Sequence, residues 1–414
     1  MPILFIPNAL EIYQSNDDAI ARQFYYSRFL WLLNPGDIII LPELPSDELL
    51  NYLADLKQIN RDFFYIMTWD NKFLIHELKQ IINTPADWSI QACFFNQTII
   101  NLAKKLNIIV SSNRLNLAKN GSLKKLNSKI NFRYIAKKNN IPTPIGNVCR
   151  TKKMLFSSII SLLNITGSVM IKQEYNGGGR GNIGITLCSS TTFTGVIKSF
   201  VIQQKNEIKN IINYFWKKGQ RFVVEVYYPN TGSFTSIFYI PPLHQKPTLL
   251  NYSEIRMEST WFGVQIPAHE LSENERDILI KNSEKLAVII QNKGYQGYIC
   301  CDAIRTNDNQ ILFTEINVRP GAETHAHVLA TQLFGTNYYQ HVTILTRKGV
   351  KISSVKYALQ QLEKRDLLLN SQRKFGVALL TVDEKYSKQM EYFIAAPSLA
   401  DAYAIEEKML HIKL

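Results

Sequence analysis

The sequence predicts an α/β domain followed by an α+β region. Three observations carry that reading. The first hundred or so residues alternate short apolar runs with helical patterns, which implies a parallel sheet. From about residue 168 to 318, strand patterns follow one another with few helices between them, which implies an antiparallel sheet. The chain has 414 residues, too many for one ordinary domain, with 46% hydrophobic and 20% charged residues, a globular balance that excludes wholesale disorder.

Taken in order, Ile3–Ile6 reads as a strand and Asp17–Leu33 as an amphipathic helix opened by Ser15-Asn16-Asp17. Asp37–Leu41 is a second strand. A helix from Ser46 to Lys57 follows, capped by Ser46 with Asp47 and Glu48 in its first turn. Phe63–Met67 and Ile108–Val110 read as further strands. No G-x-G-x-x-G follows the first strand, so nothing marks a dinucleotide site. Ser128–Asn139 is a helix that ends before Ile141-Pro142-Thr143-Pro144, because the residue preceding a proline disfavours helical backbone. Strands are then expected at Ser168–Gln173, Asn182–Leu187, Arg221–Tyr227, Ser233–Ile240, Leu249–Arg256, Gly297–Ile304 and Gln310–Val318, with helices at Asn206–Lys218 and Ser272–Asn292. Past residue 350 the pattern yields one strand, Phe375–Thr381, and one helix, Ser398–Met409.

Composition narrows the function. The chain carries 47 Lys+Arg against 34 Asp+Glu, a net charge of +13, but the excess is spread in pairs such as Lys104-Lys105 and Lys152-Lys153. With no long basic block and no aromatic-interleaved basic motif, a solvated surface or a phosphate ligand explains the charge better than nucleic acid. No apolar run reaches the ~20 residues of a membrane span, and the N-terminus lacks the pattern of a signal peptide. The 5 cysteines have no C-x-x-C spacing, which argues against a disulfide framework and a zinc module. Cys300 and Cys301 read as small buried residues. A reducing, cytoplasmic setting is the expectation.

Two stretches carry chemistry. Val169-Met170-Ile171-Lys172 is an apolar strand that runs into a loop holding Gly177, Gly178, Gly179, Arg180 and Gly181. Without Cβ atoms, successive backbone N–H groups can converge on an anion, and Lys172 and Arg180 add charge at the edges. No G-K-[ST] follows, so this is not a Walker A loop; the competing reading is a flexible hairpin. Lys172, at a strand end facing the loop, has little packing to lose, so its replacement is expected to cost turnover and not stability. The second stretch is a hairpin, Gly297–Ile304 and Gln310–Val318. A four-residue turn sets Asp302 opposite Phe313, with Glu315 its diagonal neighbour roughly 7–8 Å away on the same face. Asn317 and Arg319 continue that face by period two. Two acids and an amide oxygen on one face suit Mg²⁺, with Mn²⁺ a substitute, and leave coordination positions for phosphate and water; the competing reading is a solvent-facing polar strand.

In order and spacing these features resemble the ATP-grasp superfamily of carboxylate–amine ligases over about residues 114–345. Lys129 and Lys172 match the two phosphate lysines. Glu225, followed by Val226 and Tyr227, matches the hinge that holds adenine. Asp302, Glu315 and Asn317 match the magnesium ligands, and Arg319 the arginine that contacts the acyl phosphate or carboxylate. The run Glu315-Ile316-Asn317-Val318-Arg319-Pro320-Gly321-Ala322-Glu323-Thr324-His325 is most similar to that of the pheganomycin-type peptide ligases, with Pro320 in place of lysine and Glu323 in place of a small or hydroxyl residue. The resemblance implies a pre-ATP-grasp α/β domain at 1–113 and an ATP-grasp fold at 114–348, two α+β subdomains that clasp ATP. Within it lie a glycine-rich lid at 168–220 and a metal-bearing subdomain at 221–348, and a small C-terminal region follows at 349–414. It also implies ATP and Mg²⁺ as cofactors, a small-molecule carboxylate and amine (an amino acid or peptide) as substrates, and a cytoplasmic enzyme, with a homodimer compatible. His325 is a candidate base, against a helix-start histidine making a structural hydrogen bond. A thiol acceptor, or an ATP-binding regulator without turnover, are the alternative readings.

Overall fold

The computed structural model describes residues 1–8, 26–119, 121–228 and 232–414. Among them are three sheets. Strands β1 (Ile3–Ile6), β2 (Ile38–Leu41), β3 (Tyr65–Thr68) and β4 (Ser89–Ala92) form a parallel sheet of order β3-β2-β1-β4. Helices Asp47–Lys57, Leu74–Ile81 and Gln97–Lys105 follow β2, β3 and β4. Ile38, Ile39 and Ile40 are wholly buried, as expected of a parallel strand covered on both faces.

Several expectations for this domain need correction. The cap Ser15-Asn16-Asp17 and the start of its helix lie outside the described residues, and Arg28–Leu32 is a 3₁₀ turn. Ser46 has the extended backbone of a cap but its hydroxyl makes no capping bond. Ile108–Val110 is not a strand: Ile108 is buried and Ile109 is 77% exposed in a connection between helices. The fourth strand is instead Ser89–Ala92.

The second sheet comprises β5 (Gly146–Cys149), β6 (Ser168–Gln173), β7 (Ile183–Thr186), β8 (Lys198–Val201) and β9 (Phe222–Val226), in the order β5-β9-β6-β7-β8. Helices Lys152–Thr166 and Glu207–Phe215 supply Leu155, Ile159, Ile208 and Ile212 to its own core with Val169, Ile171 and Val224. This unit reaches from β5 to β9, so the expected lid boundary of 168–220 is too narrow.

The third sheet is antiparallel. Its strands are β10 (Ser233–Ile240), β11 (Thr248–Met257), β12 (Trp261–Ile266), β13 (Gly297–Arg305), β14 (Ile311–Asn317), β15 (Thr343–Lys351), β16 (Gly376–Asp383) and β17 (Gln389–Ala396), ordered β14-β13-β10-β11-β12-β15-β17-β16. Helix Glu273–Gln291 packs on β10, β11 and β13. It opens with a reciprocal capping box between Ser272 and Glu275. The boundary expected at 348 cuts through β15, and residues 349–414 are not a separate region: β16 and β17 extend the same sheet.

The parallel domain and this large sheet share one continuous core, whereas the β5–β9 unit has its own. Trp31 Nε1 donates to the Leu380 carbonyl of β16 at 2.6 Å and the Tyr52 hydroxyl to that of Leu369, ahead of β16, at 2.9 Å, so the first domain is bonded to the C-terminal part of the chain. Among the described residues, no helix is long and apolar enough to cross a membrane.

Helix Thr324–Phe334 follows β14 and buries His327, which contacts the Tyr338 hydroxyl at 3.2 Å through Nδ1. Burial lowers its pKa to about 4. The unfolded chain takes that proton near 6.5, so between the two values the unfolded state binds more protons, and stability falls as the pH drops through this window. At pH 5 the loss relative to pH 7.5 is about 2 kcal/mol from this group. Urea unfolding at both pH values is expected to show a smaller loss in His327→Gln than in the wild type, by about that amount; equal losses would contradict it.

Candidate active site

The hairpin β13–β14 has the expected face but not the expected register. Its turn is five residues, 306–310, with Arg305 paired to Ile311 and Asn309 in the left-handed region at φ 60°. A bulge then leaves Thr314 without a partner residue, because Ala303 pairs with Phe313 and Asp302 with Glu315. Each irregularity shifts the register by one residue. Asp302 and Glu315 are therefore directly opposite, not diagonal, and their side chains are closer than the sequence implied. Asn317 Nδ2 donates to Asp302 Oδ2 at 3.0 Å, and Arg319 Nη2 donates to Asn317 Oδ1 at 3.1 Å. Asp302, Glu315, Asn317 and Arg319 thus form one continuous row.

The electrostatics of the row call for a cation. Burial, then the facing Glu315 and nearby Glu323, push the Asp302 carboxyl well above the usual range. Glu315 is held low in spite of burial because the Lys129 ammonium lies against it. Among the described residues no group of three His, Cys, Asp or Glu side chains is placed to hold a metal. Two carboxylates and an amide oxygen fit a hard cation that completes its shell with phosphate oxygens and water. Mg²⁺ or Mn²⁺ fits this donor set.

Lys129 is the first residue of helix Lys129–Lys138, whose start is fixed by Ser128 Oγ accepting from Asn131 N at 3.1 Å. Its ammonium also meets the Asn176 carbonyl, so one side chain joins β14 to the glycine loop. Lys172 lies on β6 with Nζ 2.5 Å from Glu225 Oε2, and Arg133 Nη1 is 3.1 Å from Glu225 Oε1. Glu225 is 2% exposed. Its carboxylate is thus locked between two cations and positions Lys172. The expectation that Lys172 has little to lose structurally is overturned, because Lys172 is buried and half of a buried ion pair.

The glycine loop joins antiparallel β6 and β7, as expected. Gly178 and Gly179 have φ of 64° and 80°, a backbone that a Cβ would strain. The loop meets the start of β12, where Trp261 N donates to the Gly178 carbonyl at 3.3 Å, and beside it Gly195 N, in the β7–β8 connection, donates to the Glu258 carbonyl of the β11–β12 turn at 2.8 Å. It thereby roofs a cleft between the β5–β9 unit and the large sheet.

Lys129, Lys172, Gly177, Gly178, Gly179, Arg180, Glu225, Val226, Tyr227, Asp302, Glu315, Asn317 and Arg319 all line that cleft. Two expected residues do not. Gly181 closes against the loop's own side chains, where a Cβ would meet Asn176 Nδ2 at 2.5 Å and Gln173 Oε1 at 2.8 Å. His325 is 1% exposed and faces away, its Nε2 3.2 Å from Glu391 Oε2. It is a structural histidine, not a base. Cys300 and Cys301 are buried, and burial pushes both thiols up, so neither is an activated nucleophile.

Arg28, Trp261, Glu323 and Lys348 also line the cleft and escaped the sequence reading as site residues, as did Arg133 behind it. Arg133 stands four residues after Lys129 on the same helix face, a spacing that could have found it.

The comparisons with known proteins bear on the fold. Residues 26–108 match the family model of the Pre ATP-grasp domain. The chain has a pre-ATP-grasp α/β domain followed by an ATP-grasp fold. Among solved structures it is similar to the ADP complex of N5-carboxyaminoimidazole ribonucleotide synthetase (14% identity, 99% of this chain and 96% of that one, TM-score 0.60). It is also similar to biotin carboxylase from Campylobacter jejuni (15% identity, 97% and 89%, TM-score 0.58). A third is L-amino acid ligase from Bacillus licheniformis (12% identity, 99% and 97%, TM-score 0.54). A search of curated proteins by sequence finds no match.

Proposed function

We propose that the protein is an ATP-dependent carboxylate–amine ligase that forms an amide or peptide bond through an acyl phosphate and releases ADP and phosphate. The observation that carries this reading is the pairing of Asp302 with Glu315, beside Asn317, in one cleft with Lys129, Lys172 and the glycine loop. A substrate carboxylate oxygen attacks the γ-phosphorus of ATP as the bond to ADP breaks. The amine then attacks the carbonyl carbon, loses a proton, and expels phosphate with the oxygen that came from the carboxylate.

Lys129, Lys172 and the N–H groups of Gly178 and Gly179 hold the phosphates in line. Adenine fits the hinge beside Val226 and Tyr227, where β9 leaves the lid unit for the large sheet. Asp302, Glu315 and Asn317 would hold Mg²⁺, which would supply charge neutralisation to the transferred phosphoryl group. Arg319, held by the Asn317 and Pro320 oxygens, aims its guanidinium at the carboxylate end of the row. The docked loop excludes water, which an acyl phosphate requires.

The test is a phosphate-release and hydroxamate screen across carboxylates, with hydroxylamine as the acceptor. Release that needs a carboxylate and yields a hydroxamate is expected. ATP binding without release would point to a regulator, and thioester formation with thiols but no amide with amines, in a parallel acceptor screen, would point to a thiol ligase. Arg319→Lys is expected to lower kcat/KM for the carboxylate about ten- to a hundredfold, because lysine keeps the charge but loses the fork. ATP affinity, measured by titration calorimetry, should hold. A matching loss of ATP affinity would place Arg319 on the nucleotide.

A further inference from the structure

Beyond the metal row, the cleft continues into a second cluster that the phosphates do not need. Arg28 reaches it from the first domain, Arg180 from the glycine loop and Lys348 from β15, around the ring of Trp261 on β12. Lys348 Nζ stands 4.7 Å and Arg28 Cζ 6.0 Å from the Trp261 ring centre. In the sheet, β10 and β11 separate β13 from β12, so Trp261 is about 14 Å from the Asp302 strand by ordinary spacing. The cluster therefore lies at the far end of the cleft from the metal row.

Two acids stand near these cations. Glu391 is bound by Arg28 Nη2 at 3.5 Å and by His325. Glu323 has its carboxyl against Cys300 and Arg319. Lys348 makes no hydrogen bond or ion pair with any described residue and is only half-buried, in contact with the cleft. Burial, then repulsion from Arg180 and Arg28, lowers its pKa to about 8 against the weaker pull of Glu391. Three cations from three parts of the fold share this end of the cleft with one nearby carboxylate, Glu391, an excess of positive charge that an arriving anion relieves.

Resting on the ligase reading, we propose that Arg28, Arg180 and Lys348 recognise a second anionic group on the substrate, a carboxylate or phosphate in addition to the carboxyl that is activated. The activated carboxyl meets Arg319 near the metal row, while the second anion lies by Trp261. The substrate class is thus a dianion long enough to span those two points.

The experiment compares matched pairs of that span: suberate with octanoate, sebacate with decanoate, and 10-phosphonodecanoate with decanoate. ATP-dependent phosphate release is read with hydroxylamine as acceptor, and binding to the Mg-ADP-loaded protein is read by calorimetry. The wild type is expected to favour the dianion of a pair at least tenfold in kcat/KM, and the preferred pair separates carboxylate from phosphate. Lys348→Met should weaken the dianion ten- to a hundredfold and bring the ratio within a pair close to one. Equal use of both members by the wild type, or an equal loss of both in Lys348→Met, would overturn the proposal and assign Lys348 to packing on Trp261. Dianion binding that needs Lys348, in the absence of any phosphate release, would leave this site standing and remove the ligase reading instead. No dianion binding in either assay would overturn the site.

Discussion

Glu315→Gln is expected to reduce ATP-dependent phosphate release to background, a loss of at least about a thousandfold or 4 kcal/mol of transition-state stabilisation. Glutamine keeps the shape of the side chain and removes the charge that faces Asp302. The same change reduces the Lys129 ion pair to a hydrogen bond with an amide oxygen, beside the Asn176 carbonyl, so the loop should close less firmly. A calorimetric titration with ATP and varied Mg²⁺ should show weaker metal dependence. Near-normal release at millimolar Mg²⁺ would mean that the row of acids is not the metal site.

Lys172→Met is expected to damage both turnover and folding. Removing one partner of a buried ion pair costs about 3 kcal/mol, at the low end of the usual range because Arg133 still reaches Glu225. Denaturant unfolding should register that loss directly. Adding Glu225→Gln in the same chain removes the stranded charge, so the double variant should recover most of the stability and none of the activity. A single variant as stable as the wild type would show that the pair carries no structural weight. Restored turnover in the double variant would show that Lys172 does not serve the phosphates.

Much of the fold was legible where pattern alone decides it. Ser168–Gln173 and Ser233–Ile240 were placed to the residue, because alternation and flanking polar residues bound them on both sides. Ser89–Ala92 was not, since its one large apolar residue, Ile90, gives no period to read. The lure of Ile108–Val110 was three apolar residues in a row, but that stretch is too short to pair and only connects two helices. Strands β15 and β17 have partners far away in the chain, so the extent of the large sheet into residues 349–414 rests on long-range packing that no local pattern reports.

The site followed the same division. The residue types on β13 and β14 and their shared face were readable, but the distance between Asp302 and Glu315 depends on the left-handed Asn309 and the bulge at Thr314. The partner of Lys172 is on a strand that only folding brings alongside, so its buried pairing with Glu225 was invisible. His325 carries the chemistry of a base, but the helix start turns it toward Glu391 and away from the cleft. Arg28 and Lys348 come from opposite ends of the chain, and only the tertiary structure gathers them.

The central claim, that a carboxylate is activated by transfer of the γ-phosphoryl group, is tested most directly with an ¹⁸O-labelled carboxylate. The carboxylate that best drives turnover is labelled, and the phosphorus-containing products are read by mass spectrometry. The account predicts ADP and inorganic phosphate, with one ¹⁸O atom from the carboxylate in each phosphate released. AMP and pyrophosphate, with the label in AMP, or phosphate carrying no label, would contradict it.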